Sequence, residues 1–362
     1  MDMKATPTGT VADTVEREVA APGQTDVRRL AAGPRLRALL HDQGLVLILL
    51  ILMVLSATLS PYFLSVSNFL TIGSAASVLG IMAITQTYLI IAGGFDVSVG
   101  SVLSFTSVLV GLLVSAGVNV WMASMIALLT GGAIGALNGF IVLKLKVNPL
   151  ITTLGTLSIF SGLAYIVSHN QAWYVSDVGF SFLGAGKLAG LPVPLLLFLL
   201  IFVAGLFLER FTRFGRAIYA IGGNREAARL AGIRVEAVPF WLYVMSGLSG
   251  GFAGVLTTSA LAASGPQVGE AYLLSVVTAV ILGGASLAGG RGSVVGTLIA
   301  VFVLGVLQNG FALLEFTSSA QNVGIGVVLI VAVLMDQAAQ ALGKKAPIRG
   351  APAGRAQGTA RP

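Results

Sequence analysis

The chain has 362 residues, 56% of them hydrophobic and only 10% charged, whereas soluble domains carry about 25% charged residues. So few charges cannot cover a soluble surface, so a water-soluble fold is excluded and the solvent is read as lipid. The net charge is +7 with no cysteine; disulfides and thiolate metal sites are excluded, and basic residues flanking apolar runs point to orientation in a bilayer rather than to nucleic acid.

Residues 1–43 are polar, with Gly, Pro and Thr, and carry Arg28, Arg29, Arg35 and Arg37. They hold no apolar core with a cleavage site, so a removable signal peptide is not expected. They read as a cytoplasmic N-terminal tail, largely disordered. The two histidines, His41 and His169, stand far apart, and no metal site is expected from them.

A membrane span needs about 20 apolar residues. Segments that meet or approach this are 44–60, 68–92, 99–117, 120–142, 149–168, 192–209, 236–261, 271–285, 294–313 and 322–340. The expected fold is therefore all-α and polytopic, with about ten transmembrane helices in a domain of residues 44–341 and a cytoplasmic tail over 342–362. The shortest span, 271–285, ends in Gly283 and Gly284.

Charge placement tests the count. With the N-terminus inside, ten spans place Lys144 and Lys146 inside, together with Arg210, Arg213, Arg216, Arg225, Arg229, Arg234 and Arg291. The C-terminus is inside as well. Lys187 is the one Lys or Arg left outside, as the positive-inside bias requires. The 169–191 loop, with Trp173, Tyr174 and Asp177, reads as an outer loop. Asn148 followed by Pro149 makes a good helix start.

Small residues recur at four-residue spacing: Gly131, Gly135 and Gly139 in one helix, and Gly247 with Gly251 and Gly250 with Gly254 in another. They read as close helix packing, with no substrate information.

Three polar segments interrupt the apolar pattern. Residues 93–101 carry Asp96, the only acid between Asp42 and Asp177. An acid in apolar sequence is a functional candidate, but Asp96 or Ser98 also suits a cap on the following helix. Residues 210–235 form the longest internal polar segment. There Gly222 and Gly223 are expected to permit a tight turn, Asn224 to cap a short helix over Arg225–Ala231, Glu226 to sit in its first turn, and Gly232 to stop it. Such a short helix is marginal alone, and reads either as a solvated basic loop or as a docking helix gripped by a partner. Residues 283–293 resemble a phosphate loop in glycine content but lack its Lys-Ser or Lys-Thr. Any ATP hydrolysis must then belong to another subunit, and no convergent set of catalytic groups points to an enzyme.

Four blocks carry a family resemblance. The stretch 91–101, Ile-Ala-Gly-Gly-Phe-Asp-Val-Ser-Val-Gly-Ser, is the first. Asn138-Gly139 followed by 146–155, Lys-Val-Asn-Pro-Leu-Ile-Thr-Thr-Leu-Gly, is the second. The third and fourth are 219–233, from Tyr219 to Ile233, and 281–293, from Ile281 to Ser293. Their order and content resemble ribose-type (ribose, xylose, arabinose, galactoside) ABC importer permeases over about residues 44–340. Phe95 and Val97 stand where that family often has Ile and Leu.

The resemblance implies a type II ABC importer permease fold in the bacterial cytoplasmic membrane. It implies a second permease copy in a homo- or heterodimer, a cytoplasmic ABC ATPase holding ATP and Mg, and a periplasmic or lipid-anchored sugar-binding protein. No cofactor is expected in the chain itself. By the same resemblance, Gly222, Gly223, Asn224, Arg225, Glu226, Ala227, Ala228 and Gly232 form the coupling helix region that docks on the ATPase. Polar or aromatic groups in the helices, Gln86, Thr87, Phe105, Asn138 and Asn309, join Asp96 as candidates for a monosaccharide path. A stand-alone secondary carrier of a neutral solute and a non-transporting scaffold are the competing readings.

Overall fold

The computed structural model describes residues 34–344. The expected tails, 1–43 and 342–362, lie for the most part outside the described residues. The chain divides into two units, Met1–Gly44 and Leu45–Pro362, and the helical bundle is the second.

In chain order the elements are α1 (Pro34–Leu59), α2 (Val66–Ile91), α3 (Val99–Ser115), α4 (Val120–Leu143) and α5 (Pro149–Ser168). Next come β1 (Trp173–Tyr174), α6 (Val178–Ala185), β2 (Lys187–Leu188), β3 (Leu191–Pro192), α7 (Val193–Phe211), α8 (Arg213–Gly223) and α9 (Arg225–Leu230). The last are α10 (Ala237–Leu261), β4 (Ala263–Ser264), α11 (Glu270–Leu282), α12 (Val294–Leu313) and α13 (Ser318–Lys344). A helix stands at each of the ten apolar segments read from the sequence. Six of them, α2, α4, α5, α7, α10 and α12, are long and apolar enough to cross a membrane by length and composition. The apolar parts of α1, α3, α11 and α13 are shorter.

Local chemistry sets the helix starts. Asn148 Oδ1 accepts from the backbone N–H of Leu150 at 2.9 Å, with Pro149 in the first turn, as the sequence indicated. Ser65, Asn119, Asp177 and Ser293 cap α2, α4, α6 and α12 in the same way. Each satisfies a backbone donor that has no partner within its helix.

Helix α2 is the axis of the bundle, buried from Ala76 to Ile91 and packed against α7, α10, α11 and α12. It begins against β3 and ends against α8, so these two elements mark opposite ends of the molecule. The outer helices are apolar on the face turned away from the bundle. Leu200, Val203 and Phe207 of α7 are all more than half exposed. In water such a surface would aggregate; against hydrocarbon it is matched.

The glycine rows meet one another. Gly131 and Gly135 of α4 lie against Gly247 and Gly251 of α10, and a Cβ at Gly247 would collide with the Gly131 carbonyl. Gly250 and Gly254 face a different neighbour, α3, at Val102 and Leu103. One helix thus uses two small-residue faces to draw two partners into backbone contact, which raises dispersion contacts where lipid offers no hydrophobic drive.

Candidate functional site

The segment between α2 and α3 forms a buried polar knot. Asp96 is 1% exposed. Its Oδ1 accepts from the Ser98 backbone N–H at 2.8 Å and the Ser98 hydroxyl at 2.6 Å, and its Oδ2 accepts from the Ser246 hydroxyl of α10 at 2.8 Å. Asn138 of α4 donates to the Ser98 hydroxyl oxygen at 2.9 Å. Gln86 of α2 donates to the Asp96 backbone carbonyl. The carboxylate itself ties the 93–98 segment to α10, while Gln86 of α2 and Asn138 of α4 join the same knot through the Asp96 backbone carbonyl and the Ser98 hydroxyl. Neither Asp96 nor Ser98 caps α3 with its side chain; structural bonding, the other part of the non-substrate reading of Asp96, describes what its oxygens do here. The sequence could not show Ser246, because no spacing rule links positions 150 residues apart.

The other path candidates fall elsewhere. Thr87 is buried and its hydroxyl meets that of Thr297 on α12 at 2.7 Å. Asn309 exchanges two hydrogen bonds with Asn68, at 2.8 and 2.9 Å, joining α12 to α2. The Phe105 ring stands 5.3 Å from that of Phe160, between α3 and α5. The structure brings Gln86, Asp96 and Asn138 together and leaves Thr87, Phe105 and Asn309 apart. Gln86, Thr87 and Asn138 have no exposed surface, and Gln86 Oε1 and Asn138 Oδ1 have no hydrogen-bond partner among the described residues.

At the α8 end a small charged arm projects. Asn224 Oδ1 accepts from Ala227 N–H at 2.9 Å and caps α9. Arg229 meets Glu226 at 2.7 Å one turn away, and Arg225 donates to the Val235 carbonyl at 3.2 Å. Gly232, at φ +80°, follows the helix. Ala228 is buried, while Leu230 is 81% exposed at the tip. The short helix and its cap lie where the sequence put them. The role given to Gly222 and Gly223 does not hold: both are the last residues of α8, not a tight turn. Gly222 lies against the Ile91 carbonyl, where a Cβ would collide, so it is small to admit the end of α2. Helix α8 itself, amphipathic and half-buried, was read only as part of a polar loop. Its apolar positions Ala217, Ile218 and Ile221 are buried at helical spacing, a signal the sequence did contain.

The glycine-rich stretch 283–293 completes this end. Gly284, Gly289 and Gly290 have φ of +88°, +83° and +74°, open to glycine at little strain. Gly290 N–H donates to the Ile91 carbonyl at 2.8 Å. The Tyr219 hydroxyl lies 2.9 Å from both Glu209 Oε1 and the Gly292 carbonyl oxygen, and Glu209 Oε2 accepts from the first N–H of α12 at 3.1 Å. Burial, then the bond to Glu209, raises the Tyr219 phenol above its ordinary value, so it stays a donor at neutral pH. The sequence reading overlooked Glu209. Nearby, Lys144 at 2.9 Å holds the Glu236 carboxyl below the usual carboxylate range and joins the ends of α4 and α10.

Residues 66–333 match the family described as branched-chain amino acid transport system / permease component. The chain is 38% identical over 291 residues to the ribose import permease protein RbsC of Bacillus subtilis, covering 80% of this chain and 90% of that one. It is 37% identical over 308 residues to RbsC of Escherichia coli K12, with 84% and 96% coverage. With the L-arabinose transport system permease protein AraH of the same strain it shares 36% over 295 residues, at 81% and 90%. No solved structure matches the chain. With the family match spanning most of its length, and relatives above one-third identity aligned nearly end to end, this chain belongs to the permease-component family of transport systems that includes the ribose and arabinose import permeases.

Proposed function

We propose that the chain is the membrane-spanning permease subunit of a sugar importer whose energy comes from a separate ABC ATPase, and that its cargo is a monosaccharide of the pentose class. The relatives named for ribose and L-arabinose support the cargo class. In this reading all ten apolar helices cross the bacterial cytoplasmic membrane and both termini lie inside. The Arg-rich α8–α9 arm is then cytoplasmic, as the positive-inside bias favours, and α6 with the β2–β3 hairpin faces the periplasm and its sugar-binding protein.

The observation that carries the mechanism is α9. Six residues cannot hold a helix in isolation. Here a cap, an ion pair and a buried Ala228 hold it, and it presents an uncovered Leu230. That is the form of a coupling helix for an ATPase groove. ATP and Mg sit in the partner. When its cassettes close they move α9, and α9 moves α8, whose Gly222 is fitted against the end of α2. Since α2 is the axis of the bundle, the displacement reaches both faces of the membrane. Two permease copies would enclose the sugar path, and affinity would come from the binding protein.

Mild-detergent purification from the native host, with mass spectrometry of the co-purifying chains, tests this. An ATPase with intact phosphate loops is expected to accompany the permease, and Leu230→Glu should release it while the permease remains folded. Recovery of this chain alone, at yields where complexes survive, would instead favour a stand-alone carrier.

A further inference from the structure

A cavity of about 580 Å³ lies where the end of α4 meets the start of α10, within the range of small-molecule sites, roughly 300–1,000 Å³. Ile233, Val235 and Phe240 give it apolar walls, and Lys144, Arg234 and Glu236 supply its charge. That charge does not balance. Glu236 is the one carboxylate in the lining, and it is paired with Lys144 at 2.9 Å. After Lys144, Arg225 and Lys146 also help to hold the Glu236 carboxyl below its usual range, so both stand near it. Arg234 and Lys146 are exposed and face no carboxylate at ion-pair distance among the described residues. Four basic side chains thus gather around one carboxylate.

Two observations point to the occupant. Leu137, Phe140 and Lys144 follow one another at helical spacing, and the first two are nearly half exposed, so the lipid-facing wall of α4 leads into the cavity. Trp241 is more than half exposed, and its ring stands 5.8 Å from that of Phe240 in the cavity wall. Tryptophan is enriched where headgroups meet hydrocarbon. A water-soluble anion would gain nothing from apolar walls, and an acidic protein surface nothing from a wall that continues into hydrocarbon. A phospholipid satisfies both halves. Basic pockets between helices on the cytoplasmic side suit anionic headgroups.

We propose that this cavity binds the headgroup of an anionic phospholipid of the cytoplasmic leaflet, with Arg234 and Lys146 on its phosphate and an acyl chain along α4. The inference rests on the importer reading for the side of the membrane, and adds a lipid to it. Val235 lines the cavity, and its carbonyl accepts from Arg225 of α9 at 3.2 Å. The lipid therefore sits at the root of α9 and stiffens the segment through which ATPase motion enters.

The tryptophans of the chain are Trp121, Trp173 and Trp241, so Trp121→Phe with Trp173→Phe leaves Trp241 as a single reporter. The full chain would be placed in phosphatidylcholine bilayers with rising fractions of phosphatidylglycerol brominated on its acyl chains, which quenches tryptophan on contact. Brominated phosphatidylcholine is the control. Half-maximal quenching is expected at an about tenfold lower fraction of phosphatidylglycerol. Lys146→Gln with Arg234→Gln should erase the difference, since each basic residue near the surface gives a factor of about five for anionic lipid. The preference should persist with the ATPase bound. Equal curves for the two lipids would overturn the proposal, as would an unchanged preference in the Lys146/Arg234 variant. So would its loss on ATPase binding, because then a protein surface covers the cavity. If the tryptophan substitutions lower recovery of folded chain, native mass spectrometry of the unsubstituted protein takes their place. Retained phosphatidylglycerol is then expected, and its release by the Lys146/Arg234 variant; no retention would overturn the proposal. Neither readout needs sugar or uptake, so failure of the importer reading, seen as absent uptake by the complete assembly, is distinguishable.

Discussion

The Asp96 knot and the surroundings of Thr257 hold the same chemistry in opposite states, one answered and one not, and α10 belongs to both. In the knot, Ser246 of α10 donates to Asp96 at 2.8 Å, and Ser98, Asn138 and Gln86 complete a web across the bundle. About three turns later along the same helix, the Thr257 hydroxyl is buried and has no partner among the described residues. Between them Gly247, Gly250, Gly251 and Gly254 press α10 against α4 and α3. Seryl and threonyl hydroxyls inside a membrane protein are therefore not one class. Where a neighbouring helix presents a partner they act as ties across the bundle, and where none does, as at Thr257, the hydroxyl stays buried and unpaired among the described residues.

The largest test of that contrast is Gly247→Leu. Its side chain would drive into the Gly131 carbonyl, and a loss of about 3 kcal/mol or more is expected, read as failure to recover folded protein from the membrane. Next is Asp96→Ala, which removes three accepted hydrogen bonds and should lower stability by roughly 2–4 kcal/mol. A thermal melt in detergent checks it, and Asp96→Asn, which keeps one acceptor oxygen, should lose less. If Asp96→Ala were neutral for folding but abolished uptake, the knot would belong to the path after all.

Smaller effects lie outside both regions. Gly162 of α5 is exposed with nothing within 4 Å of an added Cβ, so Gly162→Ala should stabilise by about 0.5–1 kcal/mol. The smallest concerns Lys144 and Glu236. Glu236 has a lowered carboxyl in the folded state, so its contribution is present above the unfolded value of about 4.3 and is lost as pH falls through the folded one. Lys144→Met should therefore differ from the parental chain slightly at neutral pH and not at all in strong acid, with the difference shrinking as salt is added. Melts at two pH values and two salt concentrations would show it.

Apolar length and turn chemistry carried most of the fold. A span of about 20 apolar residues has few alternatives to a helix, because lipid leaves backbone groups no other partner. That is why helices stand where the runs indicated, from α1 through α13. The α9 helix was legible for a local reason, the Asn224 cap and the Gly232 stop acting within a few residues of each other. Helix α8 was missed because its Arg residues hid an amphipathic period. Gly222 was misread because a glycine that allows a turn and one that allows close approach look alike in sequence. Only the neighbouring Ile91 carbonyl tells them apart.

By itself the sequence determined the solvent, the helical segments, the family and the charged arm, since each depends on composition or on residues near one another in the chain. Tertiary structure alone decided which polar groups meet. It placed Ser246 on Asp96, Thr297 on Thr87 and Asn309 on Asn68, and it left the Thr257 hydroxyl buried without a partner among the described residues. Hydrogen bonds act over about 3 Å, and helix packing rather than chain order brings such groups within that reach.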